Sequence, residues 1–218
     1  MALNINGTTG ISGVDGSVSA PAVTGTDSNT GITFPSADTI KFSTGGVERI
    51  SITNSGISGT GISSGGKFAS YAVIADSKAY NGSGGTFTSG DWRTRDLNTE
   101  ITDEDGIVSI SSNQFTLQAG SYFLRASAPA YRVDQHIAKL QNITDATLTI
   151  TGSVSMGSSS FASTTISLLS GRFTISGAKV FEIQHRCITT HSSHGFGITH
   201  SIGGFNSIYT LVEIFKES

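Results

Sequence analysis

Cysteine, proline, charge and long apolar runs are all scarce in this chain of 218 residues. Cys187 is the sole cysteine, so no intrachain disulfide forms and a disulfide-stapled secreted scaffold is excluded. Charged residues make up 13%, about half the roughly 25% usual for soluble domains. The 13 Lys and Arg against 16 Asp and Glu leave a net charge of −3, with the basic residues scattered. Nucleic-acid binding needs clustered cations to displace counterions from phosphates, so no nucleic-acid partner is expected. The opening Met1-Ala2-Leu3-Asn4-Ile5-Asn6 has neither a basic region nor an apolar segment. That predicts no signal peptide, no membrane insertion and synthesis in a cytosol.

Glycine, at 27 residues, is plentiful, Ser and Thr are abundant throughout, and only 3 prolines occur. Apolar residues reach 36%, below the usual ~45–50%, a range that also counts Gly. Such a composition favours short strands and many turns, and no run shows a convincing helical period with caps.

A composition shift near Gly65-Gly66 divides the chain into residues 1–66 and 67–218. The first region has no Trp, Tyr, His or Cys, and its large apolar groups come singly: Ile40, Phe42, Ile50, Ile52, Ile57 and Ile62. Ile40-Lys41-Phe42 and Ile50-Ser51-Ile52 alternate with period two, as short strands do. So sparse a set cannot build a core in one copy. Either the region is a flexible leader, as Gly/Ser-rich composition implies, or it orders only when identical chains supply the missing apolar faces. The second region carries strand-like stretches bounded by Gly, Asn or Asp, notably 91–101, 114–118, 121–133, 148–150, 161–169, 180–188 and 207–215. Their spacing predicts an antiparallel sandwich or barrel. In the last stretch Ile208, Thr210, Val212 and Ile214 alternate with Tyr209, Leu211, Glu213 and Phe215. Both faces are largely apolar, so both need cover, one from the core and one from another subunit or from the chain's own loops.

From Lys67 to Ser218 the chain resembles the jelly-roll domain of the tumour-necrosis-factor and globular complement-q superfamily, in the variant that ends fibre proteins of marine and cyanobacterial phages. The resemblance rests on Gly84-Gly85-Thr86-Phe87-Thr88-Ser89-Gly90, Trp92-Arg93-Thr94-Arg95 with Leu97-Asn98-Thr99, and Gln114-Phe115-Thr116-Leu117-Gln118-Ala119-Gly120. It continues in Phe181-Glu182-Ile183-Gln184-His185-Arg186-Cys187 and Ile208-Tyr209-Thr210-Leu211-Val212-Glu213-Ile214. Residues 26–56 resemble a segment common upstream in phage tail-fibre proteins. The superfamily's members are homotrimers. The resemblance therefore implies an all-β antiparallel jelly-roll sandwich and a homotrimer, with Tyr209, Leu211 and Phe215 packed near the three-fold axis. It supplies no ligand, because fold does not fix function.

Several motif matches carry no chemistry. Gly61-Ile62-Ser63-Ser64-Gly65 fits G-x-S-x-G, and Gly61 to Lys67 fits most of a phosphate loop. Neither is followed by the helix its chemistry requires, and Phe68 stands where Ser or Thr should bind Mg²⁺. His191, His194 and His200, with His185 and Cys187 just before, have the types of zinc ligands. The Ser and Gly between them point instead to an exposed polar loop. Asp103-Glu104-Asp105-Gly106 reads as a tight turn rather than a calcium loop. Trp92 is read as core or interface packing ahead of a sugar platform, and neighbouring Arg93, Arg95 and Asp96 as candidates for ion pairs between subunits. Cys187, alternating with Phe181, Ile183 and His185, reads as a buried small hydrophobe.

The resulting expectation is a virion structural protein, a homotrimeric phage fibre without catalytic residues, cofactor or metal. Residues 1–66 attach it to other virion proteins. The head recognises a host surface glycan or protein through loops 80–90 and 190–206, with Tyr80, Asn81, His191, His194, His200 and Asn206 as candidate contacts. One rival is a capsid, collar or baseplate decoration protein. Another is a depolymerase, which would need two carboxylates flanking the scissile bond.

Overall fold

Alternating side chains separated by Gly, Asn and Ser turns leave this chain one way to satisfy its backbone, as strands joined by tight turns. A computed structural model describes residues 4–6, 10–12, 15–60 and 67–217, and among these there is no helix. The chain divides into two units, Met1–Gly66 and Lys67–Ser218.

Among the described residues the first unit holds nine short strands: β1 (Asn4–Asn6), β2 (Gly10–Ser12), β3 (Gly16–Ser17), β4 (Ala20–Pro21), β5 (Val23–Thr24), β6 (Gly31–Thr33), β7 (Ile40–Thr44), β8 (Val47–Thr53) and β9 (Gly56–Gly59). The last five form an antiparallel meander in chain order, while β1–β2 and β3–β4 are separate hairpins.

The second unit comprises β10 (Phe68–Lys78), β11 (Arg93–Thr94), β12 (Thr99–Asp103), β13 (Val108–Ser111), β14 (Gln114–Leu117), β15 (Gly120–Tyr131), β16 (Gln135–Asn142), β17 (Thr147–Thr151), β18 (Ser155–Met156), β19 (Thr164–Ile175), β20 (Lys179–Cys187) and β21 (Ser207–Glu217). One sheet runs β12-β10-β21-β15-β19 and the other β13-β14-β20-β16-β17, with β11 and β18 appended to β20 and β16. Consecutive strands repeatedly cross between the sheets, and every pairing is antiparallel. This is a jelly-roll β-sandwich, the fold class expected from the sequence.

The core lies between the two sheets. Ala72 and Ile74 of β10, Val212 and Ile214 of β21, and Tyr122 and Leu124 of β15 face Phe115 of β14, Phe181 and Ile183 of β20, and Leu140 of β16. Each large side chain so buried contributes on the order of 1.5–3 kcal/mol, and truncating Leu124 to Ala would cost about 2–5 kcal/mol. Register is fixed locally where the turns permit only one geometry. Between β13 and β14, Ser112 and Asn113 both adopt positive φ, +52° and +64°, which closes the two-residue hairpin without splaying the strands. The Asp103 carboxylate accepts the amides of Ile107 at 2.8 Å and Val108 at 2.9 Å, and Gly106 turns at φ +64°. The acidic cluster is thus a turn whose Asp103 is already occupied by backbone.

Four strands of the head escape the sequence reading, β10, β13, β16 and β18, of which β10 and β16 are long. In β10 the run Ala72-Val73-Ile74-Ala75-Asp76 is buried without a break, so it has no period-two signature. In β16 the core-facing set is His136, Ala138, Leu140 and Asn142, polar at both ends, which hides the buried face.

Candidate functional site

Two surfaces of the head stand out, a cluster of loops at one end of the sandwich and the outward face of the β10–β21–β15–β19 sheet. The loops arise because β10 and β20 end, and β16, β19 and β21 begin, at the same end. Residues 79–92, 132–134, 157–163 and 188–206 therefore emerge together.

The long loop 188–206 is fastened to its surroundings by backbone. Phe87 and His191 exchange both amide–carbonyl bonds at 3.1 Å, Gly84 donates to Gly197 at 3.0 Å, and Tyr131 donates to Gly195 at 3.0 Å. Gly197 sits against the Tyr209 ring at a φ of +156°, where an added Cβ would stand 2.0 Å from the ring, so no other residue fits there. Beneath the loop, Phe87 stacks on Phe196 at 4.3 Å within a small core shared with Ala130, Val133 and Cys187. The Cys187 thiol donates to Thr189 O at 3.3 Å, and burial pushes its pKa up to about 11, as suits an inert packing group.

Arg95 is the largest fully buried side chain. Its Nε donates to Thr210 Oγ1 at 2.6 Å, Nη1 to Pro129 O at 3.2 Å and Nη2 to Phe196 O at 2.9 Å. The guanidinium also lies 4.2 Å above the Phe196 ring. Burial lowers its pKa to about 10, so it remains a cation at neutral pH, held by carbonyls, a hydroxyl and a ring face. The ion pairs between subunits considered from the sequence do not involve Arg95, which clamps loop 188–206 onto β15 and β21. Asp96 instead pairs with Lys78, whose ammonium also lies 3.1 Å from Asp76. Next to Arg95, His136 Nδ1 and His185 Nε2 lie 2.9 Å apart, and His136 Nε2 lies 2.7 Å from Thr165 Oγ1. Burial and the Arg95 charge push His136 down to about 4 and His185 well below the usual imidazole range. The Nδ1 of His185 is buried and unpartnered. Nothing in the spacing of Arg95, His136 and His185 signals that they meet, since the fold joins β16, β20 and the segment after β11, all far apart in sequence.

The six candidate recognition residues fall into two clusters. Tyr80 stands edge-on to His200 at 5.9 Å, His200 tilts against Phe205 at 5.4 Å, and Asn206 donates to Ser77 Oγ at 3.3 Å. Asn81 is exposed beside Tyr80, with φ +61°. In the second cluster His191 and His194 both stand edge-on to Tyr131, at 5.2 and 6.5 Å. Phe205, 62% exposed, and Phe161, 76% exposed, were missed as candidates, and their only sequence signal is a large aromatic flanked by Gly, Ser or Ala. Among the described residues, no three His, Cys, Asp or Glu side chains converge as metal ligands. Trp92 is half-buried on the outer face of the other sheet, with the Lys139 ammonium 4.3 Å over its ring.

The outward sheet face carries an aromatic group. Phe215 lies 5.2 Å from Phe68, 4.7 Å from Tyr71 and 6.1 Å from Phe123. Leu168 is 58% exposed on β19, and a groove of about 210 Å³ separates it from Leu211. A charge pair breaks the band: Arg125 and Glu213, opposite each other on β15 and β21 and 3.9 Å apart, stand between the aromatic group and Leu211, while Arg172 pairs with Glu217 through two bonds of 2.7 and 2.6 Å at its edge. Of the three residues expected at a three-fold interface, Leu211 and Phe215 belong to this band. Tyr209 points the same way, but its own loops cover it. Its hydroxyl lies 2.6 Å from Gly82 O and 3.0 Å from Ile198 O, and the residue is 7% exposed.

No family model matches the chain, and no curated protein sequence matches it. Among solved structures the chain is similar to murine APRIL at pH 5.0, with 8% identity and a TM-score of 0.44 over 67% of this chain and 98% of that one. It is also similar to the globular domain of zebrafish complement 1qA, with 14% identity and a TM-score of 0.40 over 69% of this chain and 97% of that one.

Proposed function

We propose that the protein is a non-enzymatic homotrimeric fibre of a phage particle, made in the host cytoplasm, whose head adheres to the host cell surface. The observation that carries this reading is the outward aromatic group of Phe68, Tyr71, Phe123 and Phe215 on one sheet face, with Phe68 and Tyr71 exposed and Phe123, Phe215 and nearby Leu211 half-buried. An aromatic cluster on an outward sheet face, with a paired Arg125 and Glu213 beside it, has the make-up of a protein interface. The jelly-roll strand order agrees with the sequence resemblance to a superfamily of homotrimers, so two further copies of the chain are the natural cover.

Adhesion is assigned to the loop end. Exposed Tyr80 and Phe205, together with the His200 ring, offer aromatic faces among uncharged hydrogen-bonding groups, the chemistry that sugar hydroxyls and C–H faces recognise. The non-enzymatic part of the reading draws on how the carboxylates are used. Asp103 holds a turn, Glu182 accepts from Gln114 at 3.0 Å, and Asp134 accepts from Ser159 N at 2.8 Å. Residues 1–66 are assigned to attachment within the particle.

Glycan-array and host-cell binding by the purified full-length chain test the reading. Binding is expected, and Tyr80→Ala or Phe205→Ala should weaken it at least ~10-fold, the loss of about 1.4 kcal/mol, at unchanged oligomeric mass. Absence of binding to both, or binding indifferent to both variants, would overturn the adhesive assignment and leave a decoration role.

A further inference from the structure

The N-terminal sheet β5–β9 is inside out. Cross-strand register places Ile32, Phe42 and Ile50 side by side on one face, with Ile40, Ile52 and Ile57 in the adjoining row of the same face. None of these six is buried, and Ile57 is 55% exposed. The buried residues lie on the opposite face and are small and polar: Thr33, Ser43 and Ser51. Among the described residues 15–60 no apolar side chain is buried. A sheet that leaves its only apolar face in water has no core of its own, and that face requires cover.

The size of the face restricts what covers it. Five strands at a spacing of about 4.8 Å and two rows of side chains span roughly 300 Å². A free partner docks stably on roughly 800 Å² per side, so this face is too small to recruit one from solution. A tethered partner faces no such limit, because a short linkage supplies an effective concentration in the millimolar range. Apart from Arg49, whose Nε donates to Thr44 Oγ1 at its rim, the face carries no charge, so its complement is a largely uncharged face of the same kind. Three copies of the chain joined through their heads meet both conditions.

We propose that the apolar face of β5–β9 is a second self-association surface, closed in the trimer by the same face of the other two copies. This inference rests on the trimeric head proposed above. Packed sheets stand about 10 Å apart, so the three faces enclose a common apolar core that no single copy possesses.

The test uses the full-length chain in a Cys187→Ala background, with a nitroxide label at Ile57→Cys on the apolar face or Ser58→Cys on the opposite face. Light scattering is run on the same samples. A trimer whose Ile57→Cys labels couple within roughly 20 Å, with weaker coupling from Ser58→Cys, supports the proposal. In parallel, Phe42→Asp should speed amide exchange across residues 31–53 at least ~10-fold without changing the trimer mass. A trimer with no Ile57 coupling, and with exchange in 31–53 already fast and indifferent to Phe42→Asp, would overturn the inference while sparing the head reading. It would reassign the face to another component of the particle. A monomeric mass would overturn both.

Discussion

Acid should loosen this protein in a pH window set by two histidines. His136 and His185 lie under loop 188–206 beside the buried Arg95 cation, and both are neutral when folded. In the unfolded chain each titrates near 6.5. As pH falls below that value the unfolded state binds protons that the folded state refuses, so stability is full above about pH 6.5 and declines toward pH 4. For His136, a folded pKa of about 4 makes the loss at pH 5 about 2 kcal/mol, at 1.36 kcal/mol per pKa unit. His185, also held well below the usual imidazole range by burial and the Arg95 charge, acts in the same direction, against a domain stability of roughly 5–15 kcal/mol. The buried Asp76, whose pKa is raised by desolvation, acts in the opposite direction, taking up its proton first in the folded state. Urea unfolding at fixed protein concentration, stepped from pH 7.5 to 5, reads the loss as a falling midpoint at constant slope. His136→Gln keeps polar groups toward Thr165 and His185 and should remove the roughly 2 kcal/mol share of the pH dependence that His136 carries. A midpoint that stays constant from pH 7 to 5 would refute the assignment of two neutral buried imidazoles.

Other substitutions probe separate parts of the account. Arg95→Leu leaves the carbonyls of Pro129 and Phe196 and the Thr210 hydroxyl without a donor, and should cost about 3–5 kcal/mol, seen as a lowered urea midpoint. Tyr209→Phe removes the hydroxyl bond to the 82 and 198 carbonyls and should cost about 1–2 kcal/mol while leaving the oligomeric mass unchanged. A change of mass there would return Tyr209 to the subunit interface. Gly197→Ala drives a methyl into the Tyr209 ring and should speed proteolysis within 188–206 without unfolding the sandwich core.

The last strand was the most legible part of the chain. Its two apolar faces told of a core on one side and a second covering on the other, and Val212 and Ile214 do face the core while Leu211 and Phe215 face outward. Cys187 was legible for the same reason, since period two placed it with Phe181 and Ile183. What escaped were features made by distant strands. Arg95 reads in the sequence as a candidate for an ion pair between subunits because charge is seldom buried, whereas its three acceptors come from residues 129, 196 and 210. Tyr209 obeyed the strand period, but loops from both sides of the sequence folded over it, which alternation within one strand cannot encode. Composition alone points to the candidate loops. Their division into a Tyr80–His200–Phe205 cluster and a Tyr131–His191–His194 cluster follows from loop closure alone.

The central claim is that the outward band of the β10–β21–β15 sheet joins three copies, and the direct test is the solution mass of the full-length chain by light scattering. The account predicts three times the 22.6 kDa chain mass, falling to a single chain when Leu168→Asp and Leu211→Asp place charges in the band. A monomeric native chain, or a trimer untouched by both aspartates, would contradict it.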